Sequence, residues 1–124
     1  MKSCEYLLIA CLVFTIGCAT TMQAYSGPKL PPDKVATIRR STFSKIVFGM
    51  LDGARAAESF EVLPDDHTIW VGFRDDFLIS EHSCKITFMA KAGHTYEVYG
   101  ESERRTWHCW VEDMDTAQRT EGIF

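Results

Sequence analysis

The chain has 124 residues, 46% of them hydrophobic and 24% charged, which is globular composition and excludes a disordered chain. Thirteen basic residues against seventeen acidic ones leave a net charge of −4, so there is no basic footprint for nucleic acid. One small domain fits in this length; a cofactor domain plus a substrate domain does not.

The chain opens Met1-Lys2-Ser3-Cys4-Glu5 and is apolar from Tyr6 to Ile16. A run of about eleven residues is too short to span a bilayer and fits the apolar core of a secretory signal. Residues 1–17 are therefore read as a signal peptide and left out of the fold.

The end of that signal, Thr15-Ile16-Gly17-Cys18, resembles the lipobox of bacterial lipoproteins. The resemblance implies cleavage before Cys18 and a diacylglycerol on its sulfur, chemistry that needs a thiol nucleophile beside a small residue. Three alternatives stay open. Leu8-Ile9-Ala10-Cys11 also fits the box but leaves the apolar stub Leu12 to Ile16 on the mature chain. A non-lipidated cut after Met22-Gln23-Ala24 puts a large residue at a small-residue position. The third is an uncleaved anchor. Ala19 after the cysteine, in place of Asp, implies by the same resemblance transfer to the outer membrane, facing the periplasm. Acyl chains of this kind hold a protein on a membrane, because each buried methylene contributes about 0.8 kcal/mol. Residues 18–33, with Gly27-Pro28 and Pro31-Pro32, read as the lipidated N-terminus and a flexible tether that lets the domain sit off the membrane.

From Lys34 onward short β-type runs alternate with turn residues. Val35 to Arg39 is the first and Phe43 to Leu51 the second, with Ile46, Phe48 and Met50 on one face. Asp52-Gly53 reads as a hairpin turn, and Ala54 to Glu58 as a helical turn. Phe60 and Val62 precede the break at Pro64-Asp65-Asp66. His67 to Arg74 is the clearest strand, with Ile69, Val71 and Phe73 alternating against Thr68, Trp70 and Gly72. Phe77 to Ser80 is weak. Cys84 to Ala90, His94 to Tyr99 and Trp107 to Glu112 complete the set, with Gly100 to Arg105 as a charged hairpin loop. Six to seven strands at this spacing predict an all-β fold, a small antiparallel β-sandwich, Ig-like or similar, over residues 34–113. Residues 114–124 read as a polar tail that frays.

Of five cysteines, Cys4 and Cys11 leave with the signal and Cys18 is lipidated. Cys84 and Cys109 remain, an even pair in an oxidising compartment. Alternation puts Cys84 with Ile86 and Phe88, and Cys109 with Trp107 and Val111, so both sulfurs face the apolar side. A disulfide is expected; two buried thiols are the alternative. There is no CxxC, and the cysteines lack zinc-ligand spacing.

Tyr25-x-Gly27-x-x-Leu30-Pro31-x-x-x-Val35-Ala36-x-Ile38 resembles the opening of small uncharacterised proteobacterial cell-envelope lipoproteins. Leu51-Asp52-Gly53, the run from Leu63 to Val71, Ala92-Gly93-His94-Thr95-Tyr96 and a Trp-rich strand ending at Asp113 fit the same group. The resemblance spans most of residues 18–113 and implies a lipid-anchored envelope β-sandwich. It supplies no catalytic residues.

His67, His82, His94 and His108 show neither HxH nor HExxH spacing; His67 and His94 follow turns and are read as fixing strand entry. Asp65-Asp66, Asp75-Asp76 and Asp113-x-Asp115 lack an EF-hand frame and read as solvated turns. Ser41, Ser44, Ser80, Ser83 and Ser102 lack a GxSxG elbow. Arg39-Arg40 and Arg104-Arg105 read as surface charge. No metal, cofactor or catalytic residue is expected. Trp70, Tyr99 and Trp110 alternate away from the apolar faces and are the candidate partner-binding aromatics; burial by closure of the sheets or by the tether is the competing reading. The expectation is a non-enzymatic binding or structural role in the envelope, with an envelope protein or glycan as partner besides the membrane. The alternative is a periplasmic enzyme inhibitor or a small hydrolase acting on the cell wall.

Overall fold

The computed structural model describes residues 21–42, 44–55, 58–74, 79–104 and 106–124, and their side chains except those of 54, 55 and 79–83. The signal segment with Cys18, Asp75, Asp76, Arg105 and the side chains of Ser80, His82 and Ser83 lie outside this description.

The strands, in chain order, are β1 (Thr21–Gln23), β2 (Ala36–Arg40), β3 (Ile46–Leu51), β4 (Ala54–Arg55), β5 (Ser59–Val62), β6 (Asp66–Arg74), β7 (Ile79–Met89), β8 (Thr95–Glu103), β9 (Thr106–Asp113) and β10 (Arg119–Glu121). A 3-10 turn covers Pro32–Lys34. Six strands form one sheet in the order β1-β5-β2-β8-β9-β10, and four form the other in the order β4-β3-β6-β7. Alternation along each strand gives each sheet one apolar face. Ile38, Phe60, Tyr96, Val98 and Val111 from the larger sheet meet Ile46, Ile69, Val71, Ile86 and Phe88 from the smaller in one buried cluster. The chain is thus an all-β sandwich.

Two pairings, β1 with β5 and β2 with β8, are parallel, so the sandwich is mixed rather than wholly antiparallel. Parallel neighbours need a long crossover, and the whole smaller sheet lies between β2 and β8 in sequence. Asp52-Gly53 is a two-residue hairpin turn: Leu51 pairs with Ala54, and both turn residues have positive φ, 49° and 84°, the geometry that strand twist favours.

Several expectations give way. The register shifts between Phe48 and Met50, so Met50 is 44% exposed while Leu51 is buried; a bulge inverts the alternation. Ala54 to Glu58 does not begin as a helical turn, because Ala54 and Arg55 pair with β3 as strand β4. The expected loop from Gly100 continues β8 to Glu103, opposite Thr106.

Both ends of the chain also differ from expectation. Thr21, Met22 and Gln23 pair with Ser59, Phe60 and Glu61. Gln23 Nε2 donates to the Gly27 carbonyl at 2.8 Å, and the Tyr25 hydroxyl accepts from Leu30 N at 2.8 Å. The stretch expected as a free tether is therefore bonded to the sheet from Thr21 on. The expected fraying tail pairs as β10 with β9, then crosses to the other sheet, where Ile123 and Lys85 exchange backbone hydrogen bonds of 2.8 and 2.7 Å. Its polar side chains gave no sign of this, because the attachment is made by backbone groups that meet the open edge of β9.

Cys84 on β7 and Cys109 on β9 are disulfide-bonded, 25 residues apart, and join the two sheets. Gly122 lies against this bridge, where any Cβ would overlap both sulfurs. Replacing both cysteines by alanine is expected to lower stability by about 3.5 kcal/mol, from the closed-loop length, read as a reduced urea midpoint. Gly122→Ala is expected to cost about 1–3 kcal/mol by overpacking and to raise amide exchange at Ile123.

Candidate functional site

The outward side of the six-stranded sheet carries the densest arrangement of functional side chains. Register places Arg39, Glu97, Glu112 and Arg119 in one row across β2, β8, β9 and β10, and Tyr99, Trp110 and Glu121 in the next outward row. Arg39 Nη2 lies 2.6 Å from Glu97 Oε2, and the Tyr99 hydroxyl donates to Glu97 Oε1 at 3.2 Å. Burial first, and then the Glu97 carboxylate, push the Tyr99 phenol above its usual range, which keeps it a neutral donor.

Trp110 is the centre of this face. Tyr99 lies nearly parallel to its ring at 5.4 Å and 8°, His108 at 5.0 Å and 20°, and the Arg119 guanidinium 3.9 Å from its centroid. Such cation–π contacts contribute about 0.5–2 kcal/mol. Trp110 is only 9% exposed. Tyr99, His108 and, from β10, Arg119 lie against it. Its indole Nε1 is buried with no acceptor in reach among the described residues, an arrangement that costs about 1–3 kcal/mol.

Trp70 does not join this cluster. It faces outward from the smaller sheet, half-buried, in register with Met50 and Lys85, and the Lys85 ammonium sits 5.7 Å from its ring centroid. Of the three aromatics expected on outer faces, the fold brings together Tyr99 and Trp110 and places Trp70 on the other sheet. His108 and Arg119 were missed as members. The alternation of His108 with Trp110 and Glu112 was the available signal for the first. Arg119 was hidden in the segment expected to fray.

A second polar cluster lies where β8 begins and β9 ends. His94 Nδ1 is 2.7 Å from Asp113 Oδ2, across 19 residues of sequence. An ionised carboxylate only accepts, so this nitrogen carries the proton. Asp113 is 5% exposed; its Oδ1 accepts the Asp115 amide at 2.9 Å. Asp115 Oδ2 accepts the Thr95 amide at 3.0 Å. His94, Asp113 and Asp115 each offer a ligand atom within 4.8 Å of one another, and Asp113 Oδ1 and Asp115 Oδ2 already accept the Asp115 and Thr95 amides. Beside them is a cavity of about 180 Å³ with Phe88 and Val111 among its apolar lining and Tyr96, Lys91, Asp113 and Gln118 among its polar lining. His67 forms the other histidine–carboxylate pair, with Nδ1 2.5 Å from Asp52 Oδ2 and Nε2 2.6 Å from the Leu63 carbonyl. Ser44 Oγ accepts the Gly100 amide at 3.2 Å.

No family model, no curated protein and no solved structure matches the chain. Its chemistry is therefore read from its own geometry.

Burial raises the Asp113 pKa, but the His94 hydrogen bond, the Asp115 amide, the His94 charge and the Thr116 amide together hold it below the usual carboxylate range. A lowered folded pKa stabilises above the unfolded value near 4, and that contribution is lost as pH falls through the folded value. Asp113→Asn is expected to cost about 1–3 kcal/mol at pH 7. The gap from wild type should narrow below about pH 4, as read from urea midpoints across the acid range.

Proposed function

We propose that this chain is an envelope lipoprotein, anchored through Cys18 in the outer membrane and facing the periplasm, that acts as a non-enzymatic binding module. Its recognition surface is the outward face of the six-stranded sheet at Tyr99 and His108, which stack on the buried Trp110, framed by Arg39, Glu97 and Glu112. The partner class is an envelope protein or glycan that meets flat rings inside a charged rim.

The observation that carries this reading is the outward stack of Tyr99 and His108 on Trp110. A sheet face needs no such group to close a core, since the core lies on the opposite side. Aromatic centres with polar rims are the usual make-up of protein and sugar recognition surfaces. The inter-sheet disulfide supports an oxidising compartment, which is where a lipobox signal would deliver the domain. The His67 pair speaks for structure, because both its ring nitrogens are bonded, to Asp52 and to the Leu63 carbonyl.

Two measurements test the proposal. Palmitate labelling in cells should be present in the wild type and lost in Cys18→Ser; label that persists in the variant overturns the anchor. A photo-crosslinking residue at Glu101, opposite His108, should capture an envelope component in intact cells. Tyr99→Ala with His108→Ala should reduce that adduct about tenfold, from two stacking contacts of about 0.5–1.5 kcal/mol each. An adduct of undiminished yield overturns the recognition surface.

A further inference from the structure

We infer that the sandwich does not hang from a long leash but is seated on the bilayer by one corner, where β1 begins and β2 ends, so that the turn after β9, at Asp113 to Asp115, is directed away from the membrane. The inference rests on the Cys18 anchor proposed above, and on the place where the sheet captures the chain.

The argument begins with bond lengths. Consecutive Cα atoms are 3.8 Å apart, so Cys18 lies within about 11 Å of Thr21 whatever conformation the intervening residues adopt. Thr21 is already paired with Ser59, and Ser59 with Arg39. Gln23, Ala24 and Tyr25 are held by further hydrogen bonds, so the slack ends at Thr21. A diacylated cysteine sits at the headgroup surface. The edge of the larger sheet must therefore lie close to that surface.

Charge at this corner fits the same orientation. The Arg40 amide bonds the Glu58 carbonyl, and its guanidinium pairs with the Glu58 carboxylate. Beside it the Arg74 amide bonds the Lys45 carbonyl. Lys45 and Arg74 are exposed and take part in no ion pair among the described residues. Such cations are attracted to an anionic leaflet. The diagonally opposite corner carries Asp113 and Asp115, with Asp65 and Asp66 at the corresponding end of the smaller sheet, while Glu101 and Glu103 follow Gly100 at the Lys45 end. Strands are spaced about 4.8 Å apart, so the Asp113 end of β9 lies roughly 19 Å across the sheet from the β1 edge.

The test uses the full lipidated chain in vesicles of phosphatidylethanolamine and phosphatidylglycerol carrying a nitroxide headgroup quencher of short range. A fluorophore on Lys45→Cys, or on Arg74→Cys as a second near site, is expected to lose most of its emission. The same fluorophore on Met114→Cys, in the turn after β9, is expected to keep it. Inserting about twenty Gly/Ser residues between Thr20 and Thr21, which reach on the order of 25 Å, should abolish the difference. Equal quenching at the two corners without the insertion, in protein that sediments with the vesicles, overturns the orientation while leaving the anchor standing. Protein that stays in the supernatant with no acyl mass on Cys18 overturns the anchor, and this inference with it.

Discussion

The bond between Cys84 and Cys109 is the point on which the rest of the sandwich is organised. It ties β7, the long edge strand of the smaller sheet, to β9 in the larger one. Both sulfurs are fully buried in the cluster that also holds Val71, Ile86 and Val111. A core this small leaves little margin against chain entropy, and a cross-link over 25 residues removes part of that entropy from the unfolded chain. Its surroundings are built to it. Gly122 brings bare backbone against the sulfurs, and that close approach lets Ile123 bridge to Lys85. The strand just before it, β10, then lies over Trp110 through Arg119.

This chain of dependence links the core to the proposed recognition surface. Arg119 reaches Trp110 only because β10 is paired to β9, and β10 continues into Gly122 and Ile123, which are held at the disulfide. The face that Tyr99, Trp110 and His108 present is thus set by a covalent bond on the opposite side of the same strand. Rigid aromatic groups of this kind bind with small losses of side-chain freedom. The second polar cluster, at His94 and Asp113, serves the turn from β9 to β10 and so helps set the entry of the same strand.

Most of the fold was legible along the chain. Ile69, Val71 and Phe73, or Cys84, Ile86 and Phe88, each declare one buried face by period-two alternation, and Asp52-Gly53 declares its turn because few residue pairs tolerate positive φ twice in succession. The disulfide partners were legible for the same reason, since alternation aims both sulfurs inward. Less was legible where pairing is made by backbone alone. Thr21 to Gln23 and Arg119 to Glu121 are polar segments, and peptide groups hydrogen-bond without regard to side chain, so nothing in their letters marks them as strands. The bulge at Gly49, where a Cβ would come within 3.1 Å of the Trp70 carbonyl, likewise leaves no periodic trace.

The candidate site divides along the same line. That Trp70, Tyr99 and Trp110 point away from the core follows from local geometry, because successive side chains of a strand alternate sides. Which of them meet does not, since strand order depends on contacts between residues far apart in sequence. Local alternation accounts for the two-faced strands, the inward cysteines and the outward rings. Folding of distant segments onto one another placed Tyr99 beside Trp110, sent Trp70 to the far sheet, joined His94 to Asp113 and laid the last strand over the indole. Those are long-range pairings, made by packing and by the register of hydrogen bonds across strands, which no window of neighbouring residues contains.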